Sequence, residues 1–281
     1  MKRWFFFAGW YSVFVTGNFR GEEWEGPVLR TAPERELDVA DFARVRLGID
    51  LDAKQEEVLR GMGNRGILNC TRQWGKSTVA AAKAVHRAYT VPGTEVLVAS
   101  PGKRQSGEFV RKAAVMVRKL GLEVKGDGYN PASLLFPNES RIVGLPGTEA
   151  TIRGFSNVSL LLIDEAARVP DGLYRALWPM LGVKNGDLWL MSTPKGKQGF
   201  FYDVWSSGGD GWMRVMVPAT ECPRISAAFL EETRRELGTS FGQEFMCEFA
   251  NYGAGAFDRD LVERALDELE EAWEFEPIWR G

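Results

Sequence analysis

Short apolar runs punctuate this chain, and several are followed by a polar turn and then by a segment with helical character. The clearest are Gly66-Ile67-Leu68-Asn69, Glu95-Val96-Leu97-Val98-Ala99, Leu160-Leu161-Leu162-Ile163 and Leu188-Trp189-Leu190-Met191. Runs of this length read as strands buried on both faces of a parallel sheet. Val79-Ala80-Ala81-Ala82-Lys83-Ala84-Val85 and the basic stretch after Ala99 read as the helices between them. The pattern predicts two short helices near 41–61, then alternating strands and helices over about 62–220. A β-rich insertion is expected at 122–150, with turns at Gly126-Asp127-Gly128, Pro131, Pro137-Asn138 and Pro146-Gly147.

Three domain-level segments follow. Residues 1–40 form an extension with breaks at Gly26-Pro27 and Ala32-Pro33, residues 41–220 form the α/β core, and residues 221–281 form a helical lid or linker plus a C-terminal helix. That last helix is strongly acidic between Asp258 and Glu276. Leu261, Ala265, Leu266 and Leu269 give it an amphipathic spacing.

The chemistry sits where the apolar runs end. After the first, Cys70-Thr71-Arg72-Gln73-Trp74-Gly75-Lys76-Ser77-Thr78 leads into a helix, the order of a phosphate-binding loop. Backbone N–H groups and the helix dipole would both face an anion there. Lys76 can reach the β- and γ-phosphates of a nucleotide, and the Ser77 hydroxyl can hold Mg²⁺. Cys70 stands where the standard G-x-x-x-x-G-K-[ST] pattern has its first glycine. By itself a Gly-Lys-Ser tripeptide is also compatible with an ordinary helix start.

The second centre is Asp164-Glu165, at the end of the Leu160–Ile163 run. Open α/β sheets place ligands at the C-terminal ends of strands. Asp164 is placed to bind Mg²⁺ through water, and Glu165 is the natural base for an attacking water. A nucleotide kinase needs no such base, so the pair favours hydrolysis. The third is Ser192-Thr193-Pro194 after Leu188–Met191, whose hydroxyls would face the γ-phosphate and sense it.

Composition narrows the class. The chain has 281 residues, 44% of them hydrophobic, enough for a large core. Cys70, Cys222 and Cys247 are widely spaced and His86 is the single histidine, which excludes a zinc site by ligand count and suits a reducing cytoplasm. The net charge of −3 does not advertise nucleic-acid binding, so any such contact must come from local patches. Candidates are Lys103, Arg104, Arg111, Lys112, Arg118 and Lys119 on one helix, and Lys195 and Lys197 after the Ser-Thr-Pro turn. Met1-Lys2-Arg3 followed by the aromatic stretch Trp4–Val15 has the outline of a secretory signal. Its aromatic content and poor cleavage site favour an extension packed on the domain, or a start codon placed too far upstream. It is too short to span a bilayer securely.

In this order the motifs resemble the ATPase domain of phage terminase large subunits, the motors that package double-stranded DNA into capsids. The matching pieces are DFARVRLGIDLDAKQEEVLR (41–60), TRQWGKST (71–78), ATIRGFSNVSLLLIDEAARVP (150–170), LWLMSTPKGKQGFFYDVW (188–205) and FGQEFMCEFANYGAGAF (241–257). The resemblance implies a P-loop NTPase fold of the RecA/ASCE-like kind, a mostly parallel sheet flanked by helices with a small helical lid. It implies ATP and Mg²⁺ as cofactors. Gln55, Thr71, Arg72, Gln73, Trp74, Gly75, Lys76, Ser77, Thr78, Ser192 and Thr193 would line the nucleotide, with Ser77 and Asp164 on the metal. Glu165, Lys76, Arg72 and Arg153 would be catalytic, Arg153 by entering a neighbouring subunit's site. Gln55 corresponds to the family's adenine-side glutamine, although Lys54 replaces the usual preceding aromatic.

As partners the resemblance implies double-stranded DNA, a portal protein and a small terminase subunit. The chain would be a monomer in isolation and a ring on the portal, without membrane contact, in the bacterial host cytoplasm. Family members carry a C-terminal nuclease; no second set of acid-bearing strands follows Gly255, so an ATPase domain without nuclease is expected. Rival readings are a non-catalytic prophage-derived ATP-binding remnant and another DNA-translocating P-loop ATPase. A helicase would need a second RecA-like domain, for which the length leaves no room.

Overall fold

A computed structural model describes residues 37–145, 147, 154–155 and 157–250, with two short strands further upstream. Those strands, β1 (Phe7–Ala8) and β2 (Tyr11–Ser12), pair antiparallel. Arg153, the breaks at Gly26-Pro27 and Ala32-Pro33 and the acidic tail lie outside the described residues.

The main sheet has seven strands. In chain order they are β3 (Arg65–Cys70), β4 (Glu95–Ala99), β5 (Ser133–Leu135), β6 (Arg141–Gly144), β7 (Val158–Asp164), β8 (Asp187–Ser192) and β9 (Met213–Val217). Their spatial order is β5-β6-β4-β7-β8-β3-β9, parallel throughout except for the antiparallel pair β5–β6. Within the stretch expected as an insertion at 122–150, β5 and β6 form an edge of the main sheet itself, because β6 pairs in parallel with β4 and β5 with β6.

Alternation along the central strands sorts the core into two layers. Leu68 and Cys70, Val96 and Val98, Leu160 and Leu162, and Trp189 and Met191 face one way. They meet α1 (Val39–Val45), α2 (Ala53–Gly61), α3 (Lys76–Thr90) and α4 (Lys103–Lys119). Ile67, Leu97, Leu161, Ile163, Leu188 and Leu190 face the other way, towards α5 (Asp171–Leu177) and α6 (Phe200–Ser207). Both faces are therefore dry, which is why these strands read as continuous apolar runs. The basic residues of α4 stand on its exposed side, and Phe109, Val110, Ala113, Ala114, Met116 and Val117 form its buried side.

The register fixes the site. Asn69 of β3 lies beside Ser192 of β8, and Asp164 of β7 lies beside Met191 of β8. Three neighbouring strands therefore end together at one edge. α7 (Ala227–Leu237) and α8 (Ser240–Phe245) follow β9, and the segment after α8 runs back across that edge. Asn69 Nδ2 donates to the Cys247 carbonyl at 2.9 Å, and Ala250 N donates to the Lys195 carbonyl at 3.0 Å. Among the described residues no helix is long and apolar enough to cross a membrane.

Candidate functional site

β3 ends at Cys70 and α3 begins at Lys76, so the loop between them must turn within five residues. Gln73 and Gly75 take left-handed backbone angles, φ +64° and +97°. Gly75 is the N-cap of α3 and offers no side chain to close the helix end, so the first N–H groups of α3 are left for another acceptor. Lys76 is buried, and its Nζ donates to the carbonyls of Cys70 at 3.0 Å and Thr71 at 2.9 Å. Its ammonium lies within the loop that surrounds it.

The outer side of the loop is held from two directions. Gln55 occupies the N3 position of α2, where its side chain completes a capping box with Asp52. Its Nε2 donates to the Trp74 carbonyl at 2.7 Å. Arg224 donates to the same carbonyl and pairs with Asp52 at 2.9 Å. The Trp74 side chain is fully buried. Cys70 is buried as well, and desolvation pushes its thiol up, away from the reactive thiolate. Its carbonyl rather than its sulfur serves the loop.

A Cβ added at Gly75 would stand 2.9 Å from Gln55 Nε2. Left-handed backbone costs a side-chain-bearing residue roughly 1–2 kcal/mol. Gly75→Ala is therefore expected to lower unfolding stability by about that amount and to weaken nucleotide binding by displacing Gln55. Urea unfolding and nucleotide titration check both, and two unchanged values would refute this account of the turn.

Ser77 Oγ donates to Asp164 Oδ2 at 2.8 Å. This bond joins the first turn of α3 to the end of β7, across 87 residues of sequence. Burial pushes the Asp164 carboxyl up from the usual carboxylate range, and the Ser77 hydrogen bond pulls it partly back. A hydroxyl and a carboxylate in contact form a hard oxygen donor set that suits Mg²⁺.

Glu165 stands in the left-handed region at φ +52° and caps a short 3₁₀ turn, Ala166–Arg168. Its side chain is 37% exposed, open to water where Asp164 is not. Ser192 and Thr193 are buried at the end of β8. Ser192 Oγ has no hydrogen-bond partner among the described residues. Thr193 Oγ1 accepts from Arg168 Nη1 at 3.0 Å. Arg72 and Gln73 are exposed at the crown of the loop, while Ser77 and Thr78 are half-buried in the first turn of α3.

Two residues that the motifs did not single out complete the cluster. Arg168 Nη1 also donates to Glu165 Oε2 at 3.1 Å, and its Nη2 reaches Glu244 Oε1 at 3.4 Å. Glu244, on α8, pairs in turn with Arg72. That ion pair raises the proton affinity of the Arg72 guanidinium. The signal for Arg168 was present, three residues after Glu165 on one turn. Glu244 lies in the matching piece 241–257, but an acid in a short helix reads as a solvated face.

A family model described as terminase large subunit, T4likevirus-type, N-terminal, matches residues 67–264. The chain belongs to that family. The terminase large subunit of Thermus virus P23-45 is 26% identical over 183 residues, covering 58% of this chain and 38% of that protein. The corresponding protein of Thermus phage G20c is 26% identical over 184 residues, with the same coverage of 58% and 38%. This terminase chain thus spans well under half the length of the curated relatives it matches.

Among solved structures, the large terminase ATPase domain of Thermus phage P74-26 matches with a TM-score of 0.68 at 22% identity. It covers 76% of this chain and 100% of that one. The large terminase of a thermophilic bacteriophage, solved in complex with ADP, gives a TM-score of 0.60 at 15% identity, covering 72% and 54%. That of bacteriophage HK97 gives 0.58 at 18%, covering 82% and 51%. These likenesses establish the P-loop NTPase fold: a mostly parallel sheet with helices on both faces.

Proposed function

We propose that this terminase chain hydrolyses ATP and that the hydrolysis drives translocation of double-stranded phage DNA into a procapsid. The observation that carries the reading is the Ser77–Asp164 contact of 2.8 Å, which joins the phosphate loop to the Asp-Glu strand end with Glu165 open beside it. Phosphates would lie on the N-terminus of α3, with Lys76 as the point charge among them and the backbone of Thr71–Thr78 around them. Ser77 would hold Mg²⁺ directly and Asp164 through water, and the ion's chemistry there would be neutralisation of phosphate charge. Glu165 would take a proton from the attacking water.

Arg72 and Arg153 are the remaining charges for the γ-phosphoryl group. Arg72 would act from its own loop and Arg153 from a neighbouring subunit in a ring. On this reading the isolated chain is a monomer with weak turnover. Portal protein, small terminase subunit and DNA would template the ring in the host cytoplasm. Gln55 would sit on the adenine side of the loop it braces. Ser192 and Thr193 would sense the γ-phosphate. Helices α7 and α8 would serve as a lid or linker over the core. DNA contacts would go to phosphates, because packaging must act on any sequence, and the exposed basic face of α4 is the first candidate.

Phosphate release with ATP, Mg²⁺ and double-stranded DNA tests the reading. Turnover that requires Mg²⁺ and rises with DNA is expected. ATP binding without release under any of these conditions would favour the non-catalytic remnant instead.

A further inference from the structure

Glu165 begins from a backbone conformation that L-residues seldom adopt, and its side chain leaves the strand end partly exposed. A carboxylate so placed needs an external partner to hold one rotamer. Among the described residues that partner is Arg168 Nη1, at 3.1 Å. The same nitrogen donates to Thr193 Oγ1 at 3.0 Å and reaches the Thr193 carbonyl at 3.4 Å. The guanidinium is therefore a brace between the Asp-Glu strand end and the end of β8. The brace is itself fixed. Arg168 N donates to the Glu165 carbonyl at 2.8 Å in the 3₁₀ turn, and Nη2 leans on Glu244 at 3.4 Å.

We propose that Arg168 is a positioning residue for hydrolysis: it holds the Glu165 carboxylate in register with Thr193, so that base and γ-phosphate sensor keep one fixed separation. The inference rests on the reading of Glu165 as the base. The hydrogen bonds of Arg168 go to Glu165, Thr193 and Glu244, and those of Lys76 and Ser77 go elsewhere. Arg168 thus stands behind the base rather than on the phosphates. It should affect the chemical step and leave nucleotide affinity alone. Its planar fork reaches its three partners together, which the single ammonium of a lysine cannot copy in full.

The test uses the whole chain, with DNA-stimulated phosphate release and fluorescent-nucleotide binding measured on the same preparations. Arg168→Ala is expected to lower kcat by about 10²-fold, part of what a correctly placed general base contributes. ATP affinity should stay within about threefold, since no contact with the phosphate loop is lost. Arg168→Lys is expected to recover part of the lost rate, because it restores the charge but not the fork. In the Glu165→Gln background, Arg168→Ala should cause no further loss, since both changes disable one unit.

Several outcomes would overturn the proposal. Additive losses in the double variant would mean that Arg168 acts independently of Glu165. Parental kcat in Arg168→Ala would mean that no brace is needed. Equal loss of kcat and ATP affinity, or a folding defect shared by the alanine and lysine variants, would mean a general structural role. A distinct pattern identifies failure of the underlying reading: Glu165→Gln alone would then keep full turnover.

Discussion

Lys76→Ala is expected to weaken ATP binding by at least about 10²-fold, the scale of one or more charge-assisted hydrogen bonds to phosphate. Lys76 is buried, and its ammonium is held 3.0 Å from the Cys70 carbonyl and 2.9 Å from the Thr71 carbonyl. It is therefore placed before any ligand arrives, and little side-chain entropy remains to be lost on binding. Alanine removes the point charge and leaves two carbonyls facing an incoming phosphate without compensation, so repulsion adds to the loss. The matched control is Cys70→Gly. That position supplies its carbonyl and its backbone path, and the buried thiol takes no hydrogen bond from Lys76. Cys70→Gly should change ATP affinity only a few-fold in calorimetric titration. If it were as damaging as Lys76→Ala, the loop would depend on the sulfur and this account would fail.

The same contrast explains why the loop was legible in the sequence despite its missing first glycine. A strand, a Gly-Lys-Ser turn and a helix declare the path of that loop, and β3, the turn at Gly75 and α3 follow it. The strands were legible for a related reason. β4, β7 and β8 are covered on both faces, so few polar residues interrupt them. Legibility failed at the sheet edge, where β5 and β6 are short and separated by turns, and a run of turn residues looked like an insertion. It also failed for Glu244, which meets Arg72 only after the chain has crossed the whole domain. Arg168 lay within the recognised segment, yet its role required Thr193 at 3.0 Å, a neighbour 25 residues further on. For Gln55 the family resemblance implies a side chain on the adenine side. The fold adds what sequence could not, that its amide bonds Asp52 N and the Trp74 carbonyl and so braces the loop.

Glu165→Gln is the second large effect. The expected result is a fall in kcat of about 10²–10⁴-fold, the span attributed to a positioned general base, with ATP affinity within a few-fold of the parent. Glutamine has nearly the same shape and keeps an oxygen that can accept from Arg168 Nη1, so the 3₁₀ turn and its bond to Thr193 should persist. What it loses is a lone pair basic enough to take a proton from water. Asp164 cannot substitute. It is only 8% exposed and is tied to Ser77 at 2.8 Å, and on this reading it is already committed to the metal side of the site. Single-turnover phosphate release, run beside nucleotide retention on a filter, separates the steps: the variant should hold ATP and fail to cleave it. Parental turnover in Glu165→Gln would remove Glu165 as the base. It would move the search to the hydroxyls at the end of β8, where Ser192 Oγ has no partner among the described residues. Loss of ATP binding together with turnover would place Glu165 on the metal or the phosphates, against its exposed position and its hold on Arg168.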